Sequence, residues 1–342
     1  MRQIFLHVDT DEGITGTTAV LSGEQAHTVL SVLRSRLIGA DPLATELIWD
    51  VNYRSMIHGR AGVGMLAISA IDCALWDIRG QRFGVPAHVL LGGPTRDDVP
   101  AYVSTLGDSS APADAARRTA ELVESGFGGI KWFPRWGPGD GHAGVDRVVE
   151  LVAAVRQAAG PDVEIMLDPW SSWDIPFTVE VARQTEPYRL RWIEEPLPAD
   201  DTAGYAALRR ALGGRVQISG GEHEYTRWGA QRLLREDLLD IYQFDPHWGG
   251  GISEMVRVGA LVSAAGRVFI PHGQSLQCNA ALTFAASPAL IPEMEYLRRL
   301  GPLYQHFLAD PVEPVGGRIT APTAPGLGMR LAEDRILDAR PL

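Results

Sequence analysis

The sequence predicts an α/β protein: a barrel of eight parallel strands with a smaller α+β domain ahead of it. Three observations carry this. From Val99 to Tyr296, short apolar runs alternate with stretches whose apolar residues recur at three and four positions, the period of a helix with one buried face. The runs number eight: VPAYVST, GGIKWF, VEIMLD, LRWIE, VQISGGE, LDIYQFD, VFIPH and PEMEY. Three consecutive runs stop at a carboxylate, at Asp168, Glu194 and Glu222, with intervals of 26 (168 to 194) and 28 (194 to 222) positions. An eight-fold barrel spends about 30 residues on each strand–helix unit, so these acids share one rim.

In chain order, FLHVDTDEGITGTTAV reads as a strand, an Asp-Glu-Gly turn and a second strand. Helices follow, notably GMLAISAIDCALWDIRGQRFG, and LLGGPTRDD is a Gly/Pro-rich linker. The barrel strands are nearly continuous apolar runs because parallel strands are covered on both faces. Segments such as AGVDRVVELVAAVRQAAG and GGISEMVRVGALVSAAG supply the helices between them. After Tyr296 the chain is rich in Pro and Gly, with no further strand–helix unit, and is expected to return to the N-terminal domain. The division is 1–97, 98–296 and 297–342.

Composition narrows the function. A length of 342 residues accommodates a barrel plus a smaller domain, and 45% hydrophobic residues support a sizeable core. A formal net charge of −11 without a Lys/Arg run excludes nucleic acid as the expected partner. The two cysteines, Cys73 and Cys278, imply no disulfide framework and read as small core residues. No apolar run reaches membrane-spanning length and the first ten residues lack a signal-like apolar stretch, so a soluble cytoplasmic protein is expected.

Any one of the three acids, alone, reads as a helix cap or a solvated group. Together at one rim they repel unless a cation neutralises them, and ligands that are all oxygen suit Mg²⁺ rather than zinc. The next two runs end at Asp245 and His272, 27 positions apart. A carboxylate beside an imidazole orients it and raises its basicity, as an acid–base dyad requires.

SAIDCALWDIRGQRFGVPAHVLLGG, WIEEPL and GGEHEYTRWG together resemble the enolase superfamily, in particular its mandelate-racemase-like acid-sugar dehydratases. The resemblance covers nearly the whole chain. It implies a (β/α)7β TIM-like barrel with a capping domain built from both terminal segments, and one Mg²⁺ per subunit on Asp168, Glu194 and Glu222. It implies a role for Glu295, in PEMEYL, as an acid or a hydrogen-bond partner of the substrate carboxylate. Lys131, in GGIKWFP, occupies the first position of the superfamily's Lys-x-Lys, but Phe133 stands where the second lysine would be, which argues against two-base racemisation. Asp168-Pro169-Trp170 resembles the Asp-x-Trp of the rhamnonate and lyxonate dehydratase branch.

The expected reaction is abstraction of the C2 proton of a sugar acid by His272, held by Asp245, with Lys131 and Mg²⁺ stabilising the developing charge. Loss of the 3-hydroxyl then gives a 2-keto-3-deoxy acid. Lys131, Trp170, His223, His247 and Glu295 are the candidate substrate contacts, with Arg135, His58 and Arg60 as weaker ones. The expected partner is a small anionic sugar acid, with no nucleic acid and no membrane, in a homo-oligomer. Alternatives are an epimerase or racemase, a zinc hydrolase using His223, His247 and His272, and a catalytically silent member of the fold. The N-terminal domain starts at a segment that an earlier strand and loop ordinarily precede, so a less enclosed pocket is expected.

Overall fold

The expected hairpin is present. In the structure, a computed structural model describing residues 1–342, β1 (Ile4–Asp9) and β2 (Thr15–Val20) pair antiparallel with Ile4 opposite Val20. The helices α1 (Gly23–Thr28), α2 (Thr45–Ser55), α3 (Val63–Phe83) and α4 (Ala87–Leu90) follow. Helix α3 is buried around most of its circumference, including Met65, Ile68, Ile71, Leu75 and Ile78 on one side and Cys73 and Trp76 on another. It has no polar stripe because the hairpin covers one flank and the barrel the other.

The barrel then alternates without exception. Its strands and helices are β3 (Asp98–Ser104), α5 (Pro112–Glu124), β4 (Gly129–Trp132), α6 (Gly141–Ala159), β5 (Glu164–Leu167) and α7 (Ile175–Thr185). There follow β6 (Trp192–Glu194), α8 (Thr202–Leu212), β7 (Gln217–Gly220), α9 (Thr226–Arg235), β8 (Ile241–Tyr242) and α10 (Gly251–Ala264). The last are β9 (Val268–Phe269), α11 (Leu276–Ala285) and β10 (Met294–Leu297). Seven helices thus separate eight strands. The parallel ladder runs β10-β3-β4-β5-β6-β7-β8-β9. The β9 end is drawn back toward β10 by Phe269 N–H, which donates to Leu290 O at 2.9 Å. Period-two alternation sorts the side chains. Tyr102, Met166, Trp192, Ile241 and Ile270 form a cluster inside the barrel, while Ile130, Trp132, Leu167 and Ile193 join the core shared with the helices.

Two expectations need adjusting. The runs LDIYQFD and VFIPH form ladders of only two residues each, so Asp245 and His272 lie three residues beyond β8 and β9. Their backbones have turned to other partners: Asp245 O accepts from Gly249 N–H at 2.7 Å, closing the loop that leads into α10. The C-terminal segment also contributes a strand. After α12 (Gly301–Tyr304), β11 (Arg318–Thr320) pairs antiparallel with β3, Arg318 opposite Pro100. The segment then reaches α3, where Leu327 N–H donates to Asp77 Oδ1 at 2.8 Å. Gly326 has φ +70°, and a Cβ there would lie 2.2 Å from Asp77 Oδ1, so glycine is required.

Polar side chains of α2 and α3 satisfy the loop entering α10. Ser69 Oγ accepts from Gly250 N–H (2.9 Å), Asp72 Oδ2 from Ser253 N–H (2.9 Å), and Trp49 Nε1–H donates to Gly250 O (2.7 Å). Trp76 Nε1–H donates to Ser253 Oγ at 2.9 Å. The first domain is therefore bound to the barrel by directional bonds as well as apolar area.

Asp72 is the costly member. Burial raises its pKa to about 7, against the opposing hydrogen bonds from Ser253. Folded Asp72 therefore keeps a proton between about pH 4 and 7 that the unfolded chain releases, so its contribution to stability falls as pH rises through that window. At one pH unit per 1.36 kcal/mol, the cost at pH 8 is bounded near ~4 kcal/mol. Asp72→Asn is expected to be more favourable relative to wild type at pH 8 than at pH 4.5 by urea unfolding. A pH-independent difference would contradict this.

Candidate active site

The rim at the C-terminal ends of the strands gathers the charged side chains. Lys131, inside β4, is 1% exposed. Its Nζ lies 2.5 Å from Glu194 Oε1, 2.8 Å from Glu295 Oε1 and 3.4 Å from Asp168 Oδ2. Glu194 closes β6 and Glu295 is the second residue of β10, while Asp168 follows β5 directly. Strand pairing explains the convergence: β10, β3, β4, β5 and β6 are successive neighbours in a curled sheet. An ammonium buried with no partner would lose its proton. Here Glu194 and Glu295 outweigh burial and hold the lysine well above its usual range.

Glu194 is further held through its other oxygen. Gln243 Nε2–H donates to Oε2 at 2.7 Å and Trp192 Nε1–H at 3.2 Å. Trp192 is also a member of the interior cluster, so the floor of the barrel sets the height of this carboxylate. Asp168 Oδ1 accepts from Trp170 N–H at 2.9 Å. Burial and the neighbouring Glu194 push Asp168 well above the usual carboxylate range, with Lys131 opposing. Glu222, two residues past β7, is raised to about 7, chiefly by burial. Glu295 behaves differently: although burial would raise it, Lys131 and His272 bring it below its ordinary value. Its Oε2 accepts from Gly273 N–H at 2.8 Å.

Asp245 and His272 come together. His272 Nδ1 lies 2.8 Å from Asp245 Oδ2, and its Nε2 is 3.3 Å from Glu222 Oε2. Asp245 is fully buried and its Oδ1 accepts from His247 N–H at 2.6 Å. The ring of Trp248 packs against His272 with centroids 4.8 Å apart. Burial disfavours the imidazolium, but Glu222 and Asp245 prevail and raise His272 to about 10. Asn279 Nδ2–H donates to His272 O at 2.6 Å and fixes the segment from behind.

His223 and Glu195 make a second pair. Glu195 Oε2 is 2.6 Å from His223 Nδ1, and its Oε1 accepts from Gly221 N–H at 3.0 Å. Glu195, Glu222 and His223 bring ligand atoms within 4.8 Å of one another. Asp168 and Glu194 are meanwhile drawn to Lys131. Of the expected metal trio, Asp168 and Glu194 contact Lys131 and Glu222 contacts His272. Three of the six non-glycine residues with positive φ, Trp170, Ser171 and Glu195, lie on the loops after β5 and β6, and a fourth, Thr226, opens α9 after β7. Such backbone strain clusters where surrounding structure enforces it, often at functional sites.

Other sequence candidates separate. Trp170 is 68% exposed beside Asp168. His247 does not turn into the cluster: its Nε2 faces Ser275 Oγ (3.0 Å), Thr18 Oγ1 (3.3 Å) and Cys278 Sγ (3.7 Å). A histidine two residues past a strand-end acid looked directed at substrate, but the turn after Asp245 rotates the ring toward the N-terminal domain. The zinc-hydrolase grouping of His223, His247 and His272 is accordingly not assembled. Arg135 and His58 are exposed, and Arg60 stacks over Tyr53 at 4.5 Å. Phe133 has its ring 5.6 Å from Lys131 Nζ. Gln243 and Glu195 were not foreseen. Their signal lay in the sequence, since Gln243 precedes Asp245 by one strand period and Glu195 adjoins Glu194.

Residues 1–92 match the mandelate racemase/muconate lactonizing enzyme N-terminal domain, and residues 114–335 match the enolase C-terminal domain-like family. The chain belongs to the enolase superfamily. It is 33% identical to L-rhamnonate dehydratase of Saccharopolyspora erythraea, over 96% of this chain and 83% of that one. A solved rhamnonate dehydratase from Gibberella zeae, complexed with Mg, is 31% identical with a TM-score of 0.87, covering 97% of this chain and 80% of the other. The 3,6-anhydro-D-galactonate cycloisomerase of Zobellia galactanivorans is 28% identical with a TM-score of 0.86, over 97% and 92% of the two chains. Within this superfamily the expected barrel and its preceding α+β domain stand as the sequence indicated. No helix is long and apolar enough to cross a membrane.

Gln243 offers a direct probe of the rim. Gln243→Leu removes a donor to a buried carboxylate and is expected to lower stability by about 1–3 kcal/mol, read from the shift in urea midpoint. Loss below ~0.5 kcal/mol would mean that Lys131 and Trp192 suffice to hold Glu194.

Proposed function

We propose that this enolase-superfamily enzyme is a hydro-lyase acting on a sugar acid, with His272 as the base that removes the C2 proton. The observation that carries this reading is the dyad: a buried Asp245 fixes Nδ1 of His272 and leaves Nε2 directed toward the carboxylate cluster. Similarity to rhamnonate dehydratases supports dehydration as the outcome and an aldonic acid as the substrate class.

The residues fit a divalent cation. Every candidate donor is a carboxylate oxygen, and the raised pKa values of Asp168 and Glu222 express burial and mutual repulsion that a cation would relieve. Asp168, Glu194 and Glu222 would hold one Mg²⁺, the choice for an all-oxygen set. When bound, Mg²⁺ supplies Lewis-acid stabilisation of negative charge on the substrate carboxylate.

The chain's own residues do the rest. Lys131 donates to the substrate carboxylate and adds positive charge at a water-poor position. Glu295 keeps Lys131 oriented through their 2.8 Å ion pair. His272 acts once the charge of Glu222 is engaged elsewhere, because that charge is the largest influence favouring its imidazolium. Nε2 takes the proton from C2. The electron pair left behind forms the C2–C3 double bond as the C3–O bond breaks, and the same imidazolium protonates the departing hydroxyl to give water. The resulting enol tautomerises to a 2-keto-3-deoxy acid. Asp245 holds the tautomer throughout, and Trp248 limits rotation of the ring. The half-exposed His223, on Glu195, and Trp170 stand at the mouth where sugar hydroxyls would be received.

Two results are expected. Glu222→Gln should weaken Mg²⁺ binding and activity together, by calorimetry and by 2-keto acid formation from a panel of aldonic acids. Full activity of wild type in excess chelator would overturn the metal assignment. His272→Asn should abolish both dehydration and exchange of the C2 proton with D₂O, a loss of at least about 10²–10⁴-fold for a general base. Because Phe133 cannot transfer a proton, wild type should place deuterium in one C2 epimer only. Label in both epimers would favour an epimerase with a second base.

A further inference from the structure

Behind the dyad, on the side away from the carboxylate cluster, a second group of ligand-type side chains has no part in the proposed reaction. Cys73 comes from the middle of α3, His247 from the loop after β8, and Cys278 from the first turn of α11. Cys73 and Cys278 are 0% and 1% exposed and His247 is 6% exposed. Both thiols are free. The two sulfurs and a ring nitrogen lie within 4.8 Å of one another. Three elements distant in sequence thus bring soft donors to one point at the joint between the N-terminal domain and the barrel.

We propose that Cys73, His247 and Cys278 form a zinc site, distinct from the carboxylate cluster, that ties the N-terminal domain to the barrel. Two thiolates and an imidazole select zinc over Mg²⁺. Bond lengths of ~2.3 Å to sulfur and ~2.0 Å to nitrogen place tetrahedral ligands about 3.5 Å apart for a sulfur–nitrogen pair. The observed Cys278 Sγ to His247 Nε2 distance is 3.7 Å. Ser275 Oγ and Thr18 Oγ1 lie 3.0 Å and 3.3 Å from the same Nε2, leaving a water, held by these hydroxyls, as the fourth ligand. The charge also closes: two thiolates and a neutral imidazole cancel a divalent ion, so the filled site carries no net charge into an interior that would penalise one.

Burial raises Cys278, yet hydrogen bonding from Cys73 and the nearby His247 bring it down to about 5. Cys73, by contrast, is held well above its ordinary value by burial and by the Cys278 thiolate. Cys278 and His247 favour each other's charged forms, so binding an ion would displace the protons of both His247 and Cys73. His247 also donates its backbone N–H to Asp245 Oδ1 at 2.6 Å. An ion on its ring would therefore fix the segment that positions the dyad.

The test uses the full chain expressed in zinc-supplemented medium and passed through desalting in excess Mg²⁺. Elemental analysis should find about one zinc per chain, retained in Glu222→Gln and lost in Cys278→Ser and in Cys73→Ser. Expression with Co²⁺ should give a thiolate-to-cobalt charge-transfer absorption in the near ultraviolet, which an all-oxygen site cannot produce. Wild type with less than about a tenth of an equivalent of zinc, and no such absorption with cobalt, overturns the proposal even if a cysteine variant fails to fold. Zinc that disappears in Glu222→Gln and persists in both serine variants overturns it too, by assigning the ion to the carboxylate rim.

Discussion

The rim depends on one constraint, the burial of several carboxylates around a single ammonium. Lys131 stands within 3.4 Å of Glu194, Glu295 and Asp168, and one positive charge cannot neutralise three negative ones in a low-dielectric interior. Everything around them supplies compensation. Gln243 and Trp192 donate to Glu194, Gly273 N–H donates to Glu295, and Trp170 N–H donates to Asp168. His272, the second cation of the cluster, faces Glu222. Burial, with the remaining excess of negative charge, raises the pKa values of Asp168 and Glu222. A site built this way is predisposed to receive further positive charge, which is the physical link between its geometry and a divalent cation.

The barrel provides that arrangement through its floor. Tyr102, Met166, Trp192, Ile241 and Ile270 pack inside the sheet and support the side chains above them, and Trp192 does so by a direct hydrogen bond. On the far side of the dyad, the N-terminal domain contributes through Ser69, Asp72 and Trp49, which satisfy backbone groups at the entry to α10, and through Trp76, which donates to Ser253 Oγ. That loop carries Asp245. The polar joint between domains and the placement of the base are consequently parts of one connected set of bonds, and Asp72 bears an electrostatic cost to maintain it.

Much of this was readable in the chain because barrel periodicity is local. Strand-end residues spaced 26, 28, 23 and 27 positions apart place Asp168, Glu194, Glu222, Asp245 and His272 at a common level whatever the surrounding loops do. The boundaries were less readable. The apolar runs ending at Asp245 and His272 have strand composition throughout, yet only two residues of each enter the ladder; Gln243 and Ile270 N–H still donate to Gly220 O and Tyr242 O, and beyond them the chain turns into the loops. β11 also escaped, because three residues in a Pro- and Gly-rich tail give no period to read, and pairing with β3 alone makes them a strand.

The sequence by itself determined the barrel, the domain that precedes it, and which acids and which histidine share the rim, because each follows from spacing along one repeating unit. Tertiary structure decided which side chains meet across units. It divided the carboxylates between Lys131 and His272, brought in Gln243 and Glu195, and paired His223 with Glu195. It also turned His247 away from the rim toward Cys73 and Cys278. Those outcomes rest on loop conformation and on contacts between segments up to 229 residues apart, such as Thr18 and His247, and no local period encodes them.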